Sequence, residues 1–122
     1  MRYLPPLQRL SRRVTAHTML HGVQIPAGST LTLWIGSANH DEAQFPQPEV
    51  FQISRAPNRH LGFGHGIHMC LGATLARLTA RITLECLLTR FSEAHRVRSV
   101  DLRPTVNYFS YGLEHLPVVM QG

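Results

Sequence analysis

The stretch Phe63-Gly64-His65-Gly66-Ile67-His68-Met69-Cys70-Leu71-Gly72 decides how the rest of this chain is read. It sets Cys70 behind a glycine-punctuated loop and immediately before a long helical pattern. Gly64 and Gly66, together with Gly62, let the backbone take positive φ angles and approach a flat object closely, which side chains at those positions would prevent. From Leu71 onward, LGATLARLTARITLECLLTR places apolar residues at Leu71, Leu75, Leu78, Ile82 and Cys86, the spacing of one helical face. The spacing predicts a helix beginning at Leu71, with Cys70 at its N-terminus. Unpaired amides and the positive end of the helix dipole favour an anion there, so the sulfur is suited to thiolate, the form that ligates metals.

These residues resemble the cysteine-ligand loop of the cytochrome P-450 family, the haem-thiolate monooxygenases, whose pattern is F-G-x-G-x-H/R-x-C-x-G followed by L-A-R. Phe63, Gly64, Gly66, His68, Cys70, Gly72, Leu75, Ala76 and Arg77 match in register. The resemblance implies that Cys70 is the axial ligand of haem b (iron protoporphyrin IX), with the sulfur pushing electron density toward O–O cleavage. It further implies that His68 bonds a haem propionate and that Phe63 packs beside the sulfur. The amides of Leu71 and Gly72 then donate to the thiolate, and Ala76 leaves room for the macrocycle.

Other readings of the loop are weaker. His60, His65, His68 and Cys70 are all zinc-ligand types, but their spacing is no standard zinc pattern and leaves the glycines without a role. Gly62, Gly64 and Gly66 hint at a dinucleotide loop, yet Ile67 stands where GxGxxG needs its third glycine and no strand immediately precedes. Cys86, inside the helical run, reads as a small buried hydrophobe.

Bulk properties are those of an ordinary globular protein. The 122 residues allow a modest core. No apolar run is long enough to span a membrane, no signal-peptide pattern is present, and two cysteines give no disulfide framework. A soluble, cytoplasmic protein in a reducing compartment is expected. The net charge of +5 comes with twelve Arg and no Lys. Those arginines are scattered and do not interleave with aromatic residues, so an acidic protein partner is expected rather than nucleic acid.

Taken in order, the diproline Pro5-Pro6 requires any preceding helix to stop at or before Leu4. In the family a helix carrying E-x-x-R ends just before such a pair. Arg2 matches its arginine, and the matching glutamate would fall ahead of Met1, which implies a truncated fold. Arg12, nine residues ahead of His21-Gly22, matches a strand arginine that binds the other propionate, with Arg13 on the opposite strand face; two solvated arginines remain the plain alternative. Residues 14–38 read as a small β sheet, punctuated at His21-Gly22 and Pro26-Ala27-Gly28, with Val23 and Ile25, then Leu31, Leu33 and Ile35, alternating.

His40 replaces the arginine of the family's A-N-R-D. Residues 42–57, with Pro46, Pro48 and Pro57, read as an irregular meander in which Arg55 matches an arginine that pairs with the E-x-x-R helix. In the helix, Ala73, Ala76, Ala80 and Thr83 form a small-residue stripe. Arg77 and Arg81, one turn apart, suit either a solvated face or a basic surface for an acidic electron donor such as a ferredoxin. The tail after Phe91 reads as polar turns followed by a hairpin around Tyr111-Gly112, with Asn107, Tyr108 and Phe109 as candidate substrate contacts.

The expectation is a mixed α and β chain forming the C-terminal part of the mainly α cytochrome P-450 fold. Residues 1–122 make one incomplete domain: a small N-terminal sheet, a meander, the cysteine-ligand loop, a long helix and a C-terminal β hairpin. By resemblance its function is monooxygenation, using dioxygen and two electrons from a redox partner to oxidise a small organic substrate, without nucleic acid or membrane. A truncated remnant lacking activity, or a small His/Cys metal-binding module, are the alternatives.

Overall fold

The structure, a computed structural model, describes residues 1–105 and 107–122. They fall into two compact units. The first comprises Met1–Gly62 with Asn107–Tyr111; the second runs from Phe63 through the long helix and ends with Gly112–Gly122.

In the first unit, β1 (Arg9–Arg13) pairs antiparallel with β4 (Thr30–Trp34), Arg9 opposite Trp34 and Arg13 opposite Thr30. Beyond that register the ladder continues through Val14, whose amide donates to the Ser29 carbonyl at 2.9 Å while its carbonyl accepts from Gly28 at 2.7 Å. The strands β2 (Thr18–Leu20) and β3 (Val23–Ile25) form a separate hairpin. Its two turn residues, His21 and Gly22, have φ of 47° and 81°. Two consecutive positive angles match the right-handed strand twist, which is why His-Gly serves there. The expected small sheet is thus two two-stranded sheets.

Ile35 does not continue the strand alternation. It opens a one-turn helix, α1 (Ile35–Ala38), and is buried in the first unit's core with Val14 and Phe45. Alternation through Leu33 could not show that the chain turns, because a buried apolar residue suits either backbone. Asn39, fully buried, ends that turn and its Oδ1 accepts the Leu61 amide at 2.8 Å.

The meander is irregular, as expected, and irregular backbone leaves carbonyls without a ladder partner. Two arginines supply the donors. Arg2, 5% exposed, donates through Nη1 to the Asn39 carbonyl and through Nη2 to the Pro48 carbonyl, each at 2.8 Å. Its guanidinium lies 5.3 Å from the Phe45 ring centre. Arg55 donates to the carbonyls of Pro46 at 2.7 Å and Gln47 at 3.0 Å.

In the second unit, α2 spans Ala73–Arg90, two residues later than the periodicity predicts. Leu71 and Gly72 form a turn, and the helix takes its first acceptors from Cys70 and Gly72: Ala73 donates to the Cys70 carbonyl at 3.2 Å and Ala76 to Gly72 at 2.8 Å. Apolar spacing registers a face, not a first turn, so it cannot separate a capping turn from the helix. Ala73 of the small-residue stripe is buried, whereas Leu75, Leu78, Ile82 and Cys86 are exposed. Cys86 is therefore not the buried hydrophobe expected. No described helix is long and apolar enough to cross a membrane.

The tail departs most from expectation. Instead of a hairpin at Tyr111-Gly112, β5 (Glu93–Arg96) pairs antiparallel with β6 (Val118–Gln121) across a long connection. The ladder extends by the Val97 amide donating to Pro117 at 3.0 Å. Gly112 instead accepts the Thr105 amide at 3.0 Å. Glu-Ala-His-Arg carries no strand propensity, so β5 exists because Val118, Val119 and Met120 need a partner.

Replacing Arg2 by Met is expected to lower the stability of the first unit by about 2–3 kcal/mol, since charged donors to two carbonyls are lost in a buried place. Urea unfolding followed by the fluorescence of Trp34, in β4, measures it. An unchanged midpoint would show that the guanidinium does not hold these carbonyls, and Arg2→Lys, with one ammonium for two acceptors, should restore only part.

Candidate functional site

The loop from Phe63 to Cys70 is built by its glycines. Gly64 and Gly66 have φ of 75° and 70°, and His65 between them is extended. Left-handed backbone costs an L side chain about 1–2 kcal/mol, so glycine is the residue for both places. A Cβ on Gly64 would lie 3.3 Å from the His68 carbonyl oxygen, tighter than ordinary contact, while one on Gly66 would meet nothing within 4 Å. Gly64 is therefore packed inside the loop and Gly66 faces open space.

Residues Gly66–His68 make one 3₁₀ turn, closed by the Met69 amide on the Gly66 carbonyl at 3.0 Å. The Cys70 amide then donates back to the Phe63 carbonyl at 2.8 Å. With its own carbonyl taken by Ala73, Cys70 is fixed on both sides of its Cα. Its thiol is free and exposed. Around it, Ile67 (97%) and Leu71 (102%) are essentially uncovered, and Met69 is exposed. Gly72 stands beside the sulfur, where a Cβ would lie 4.0 Å from Sγ, in ordinary contact.

An accessible soft sulfur ligand, uncovered apolar side chains and one glycine with open space in front of it form a donor set and a surface that fit a flat, apolar, metal-bearing group such as haem. The zinc alternative fares differently: among the described residues no three His, Cys, Asp or Glu side chains gather as a metal site.

The remaining predicted residues are placed as follows. Phe63 supplies the carbonyl that closes the loop, and its ring carries the Arg77 guanidinium 4.6 Å from its centre. Nothing in the sequence signals that contact, because it joins a loop to a helix across fourteen positions. His68 is exposed. Ala76 is exposed on the first turn of α2, its amide bonded to Gly72. Arg12 is exposed in β1 of the first unit, opposite Leu31, and its Nη1 donates to the Ser11 carbonyl at 3.0 Å.

Arg81 forms an ion pair with Glu85 at 3.0 Å, one turn on. Both side chains are solvated, so the pair contributes little to stability. His40 Nδ1 lies 2.9 Å from the Gly36 carbonyl. Asn107, a candidate substrate contact, accepts through Oδ1 from the amides of Phe109 at 2.9 Å and Ser110 at 3.3 Å. Tyr108 lies under the Arg9 guanidinium, 3.4 Å from the ring centre, and its carbonyl accepts from Arg9 Nε.

Comparison with known proteins gives a consistent result. The statistical model of the family Cytochrome P-450 matches residues 1–107. The chain is 43% identical over 122 residues to the steroid C26-monooxygenase of Mycobacterium tuberculosis, covering 98% of this chain and 32% of that protein. Among solved structures it is similar to CYP109E1 from Bacillus megaterium in complex with testosterone, with a TM-score of 0.91 and 42% identity over 98% of this chain and 33% of the other. It is also similar to P450BioI in complex with a hexadec-9Z-enoic acid-ligated acyl carrier protein, with a TM-score of 0.93 and 39% identity over 98% of this chain and 31% of the other. The chain thus spans about a third of the length of the proteins it matches.

The two loop glycines should respond differently to substitution. Gly66→Ala is expected to cost about 1 kcal/mol, for the left-handed backbone alone. Gly64→Ala adds the clash with the His68 carbonyl and should reach about 2 kcal/mol. Chemical unfolding followed by the far-ultraviolet signal of α2 ranks them, and equal costs would mean that Gly64 is not packed against His68.

Proposed function

The chain belongs to the cytochrome P-450 family, whose members bind haem b, and from that premise we propose that it carries the haem-ligating part of a monooxygenase. The reaction uses dioxygen and two electrons from a redox partner to insert one oxygen atom into a small organic substrate. One observation carries the reading: a loop closed by the 2.8 Å bond from Cys70 to Phe63 holds an exposed thiol at the foot of an eighteen-residue helix.

Each loop residue then has a task in this chain. Cys70 Sγ, as thiolate, would hold the haem iron. The amides of Leu71 and Gly72, at the turn before α2, are the donors that lower the electron density on sulfur and so adjust how strongly it binds. Phe63 closes the loop through its carbonyl, and Gly66, with nothing in front of it, would let the backbone approach the flat face of the group. His68 would neutralise one of its carboxylates. Ala76, small and exposed on the first turn of α2, would leave room for the group beside the helix. When bound, haem supplies the iron at which dioxygen and electrons meet, and thiolate ligation favours O–O cleavage.

The steroid in the name of one similar protein and the hexadec-9Z-enoic acid carried in the complex of another are largely apolar, and an apolar small molecule is the substrate class proposed here. An acidic electron donor of ferredoxin type matches the net charge of +5, and free thiols suit the cytoplasm.

The test is the absorption spectrum of the purified chain with haem added, reduced under carbon monoxide. A far-red Soret band of the thiolate type is expected. Cys70→Ala should abolish it and Cys86→Ser should leave it unchanged; a band that survives Cys70→Ala would sink the ligand assignment.

A further inference from the structure

We infer that Arg77 is a positioning residue for the cysteine loop, acting through a cation–π clamp on Phe63. Its guanidinium carbon sits 4.6 Å from the centre of the Phe63 ring, within the range in which a cation is attracted to an aromatic face. Arg77 lies in the second turn of α2, and Phe63 is the first residue of the loop. The backbone of Phe63 is tied to Cys70 and its side chain to the helix that begins three residues after Cys70. The loop is therefore stitched at two points, one through the Phe63 carbonyl and one through its ring.

The charge pattern of the helix supports this role. Arg81, one turn further on, is engaged with Glu85 at 3.0 Å. Among the described residues no carboxylate pairs with Arg77, so the Phe63 ring is the partner seen for it. A planar guanidinium can lie over a ring while its edge stays hydrated, which suits an exposed arginine.

The consequence reaches Cys70 through one bond. If the ring is held, the Phe63 carbonyl is held, and the Cys70 amide keeps its acceptor. The meaning of the clamp for haem rests on the ligand role proposed for Cys70; the clamp itself does not. It predicts that removing the charge frees the loop to open, so that Cys70 is presented over a wider range of directions.

Hydrogen exchange at the Cys70 amide reads the opening directly and needs no haem. Arg77→Met is expected to speed exchange at Cys70 about two- to five-fold, the range an exposed cation–π contact corresponds to. Arg77→Lys, which keeps a cation but not the planar fork, should lie between the two. In a Phe63→Leu background the Arg77→Met effect should vanish, because the ring is the route. Amides in the middle of α2 serve as the folding control and should not change.

Unchanged protection in Arg77→Met, or an equal effect with and without the Phe63 ring, would overturn the clamp. So would a parent chain whose Cys70 amide exchanges unprotected, since no closed loop would then exist to hold. The outcome separates from that of the haem reading: a thiolate band with no Arg77 effect condemns the clamp alone, and a protected, Arg77-dependent loop with no such band condemns the ligand assignment alone.

Discussion

The amide of Cys70 donating to the carbonyl of Phe63 is the constraint on which the site depends. A single hydrogen bond of this kind contributes only about 1 kcal/mol net, while bringing the ends of the loop together costs chain entropy. The bond can win only if the intervening backbone is already bent. Gly64 and Gly66, both left-handed, and the 3₁₀ turn over Gly66–His68 do the bending. The same residue then turns its carbonyl toward Ala73 and starts α2. Cys70 is thus held by its backbone in both directions, which leaves the side chain free to face outward without loosening its position. Rigid presentation of an exposed sulfur is what a metal ligand requires.

The first unit solves a related problem by different means. Its meander lacks ladders, so the carbonyls of Asn39, Pro46, Gln47 and Pro48 would go unsatisfied if buried. Arg2 and Arg55 reach them through fork-shaped guanidinia, each serving two carbonyls at once. A lysine would serve them less well, because its donors radiate from one nitrogen whereas a guanidinium presents spaced N–H groups in a fixed fork. The scarcity of acidic partners for these arginines, and the twelve Arg with no Lys across the chain, fit a fold that uses guanidinium as a backbone fastener as much as a surface charge.

The elements legible in the sequence were those whose cause is local. The loop was readable because positive φ demands glycine, and the β2–β3 hairpin because His21-Gly22 is itself the turn. The long helix was readable in extent but not in onset, since Leu71 obeys the apolar period while lying in the turn that precedes it. The illegible parts have remote causes. Glu93–Arg96 becomes a strand only because Val118–Gln121 lies beside it, and Ile35 leaves the strand because the chain must turn into the core. The Arg77–Phe63 contact has no sequence period at all. Of the site, Cys70 and its glycines were therefore legible, and the residue that braces them was not.

The pattern of α2 bears on how stability and ligand binding are linked. At about 100° per residue, Leu75, Leu78 and Ile82 share one side of the helix with the direction of Leu71, while Leu84 lies on roughly the opposite side and Leu88 about a third of a turn away. All of them are exposed in this chain. Apolar residues spread around the helix in this way are the mark of one covered on more than one side. Burying a Leu or Ile side chain fully stabilises by about 1.5–3 kcal/mol, so the uncovered leucines and Ile82 represent several kcal/mol that the helix gains only when something apolar packs on it. Any apolar group that binds beside Cys70 and reaches the Leu71–Leu75 side supplies part of that cover, and its binding energy becomes folding energy for the second unit. If a group binds on Cys70 as proposed, ligation and folding become one equilibrium, and the loop that presents the sulfur is steadied by what it holds.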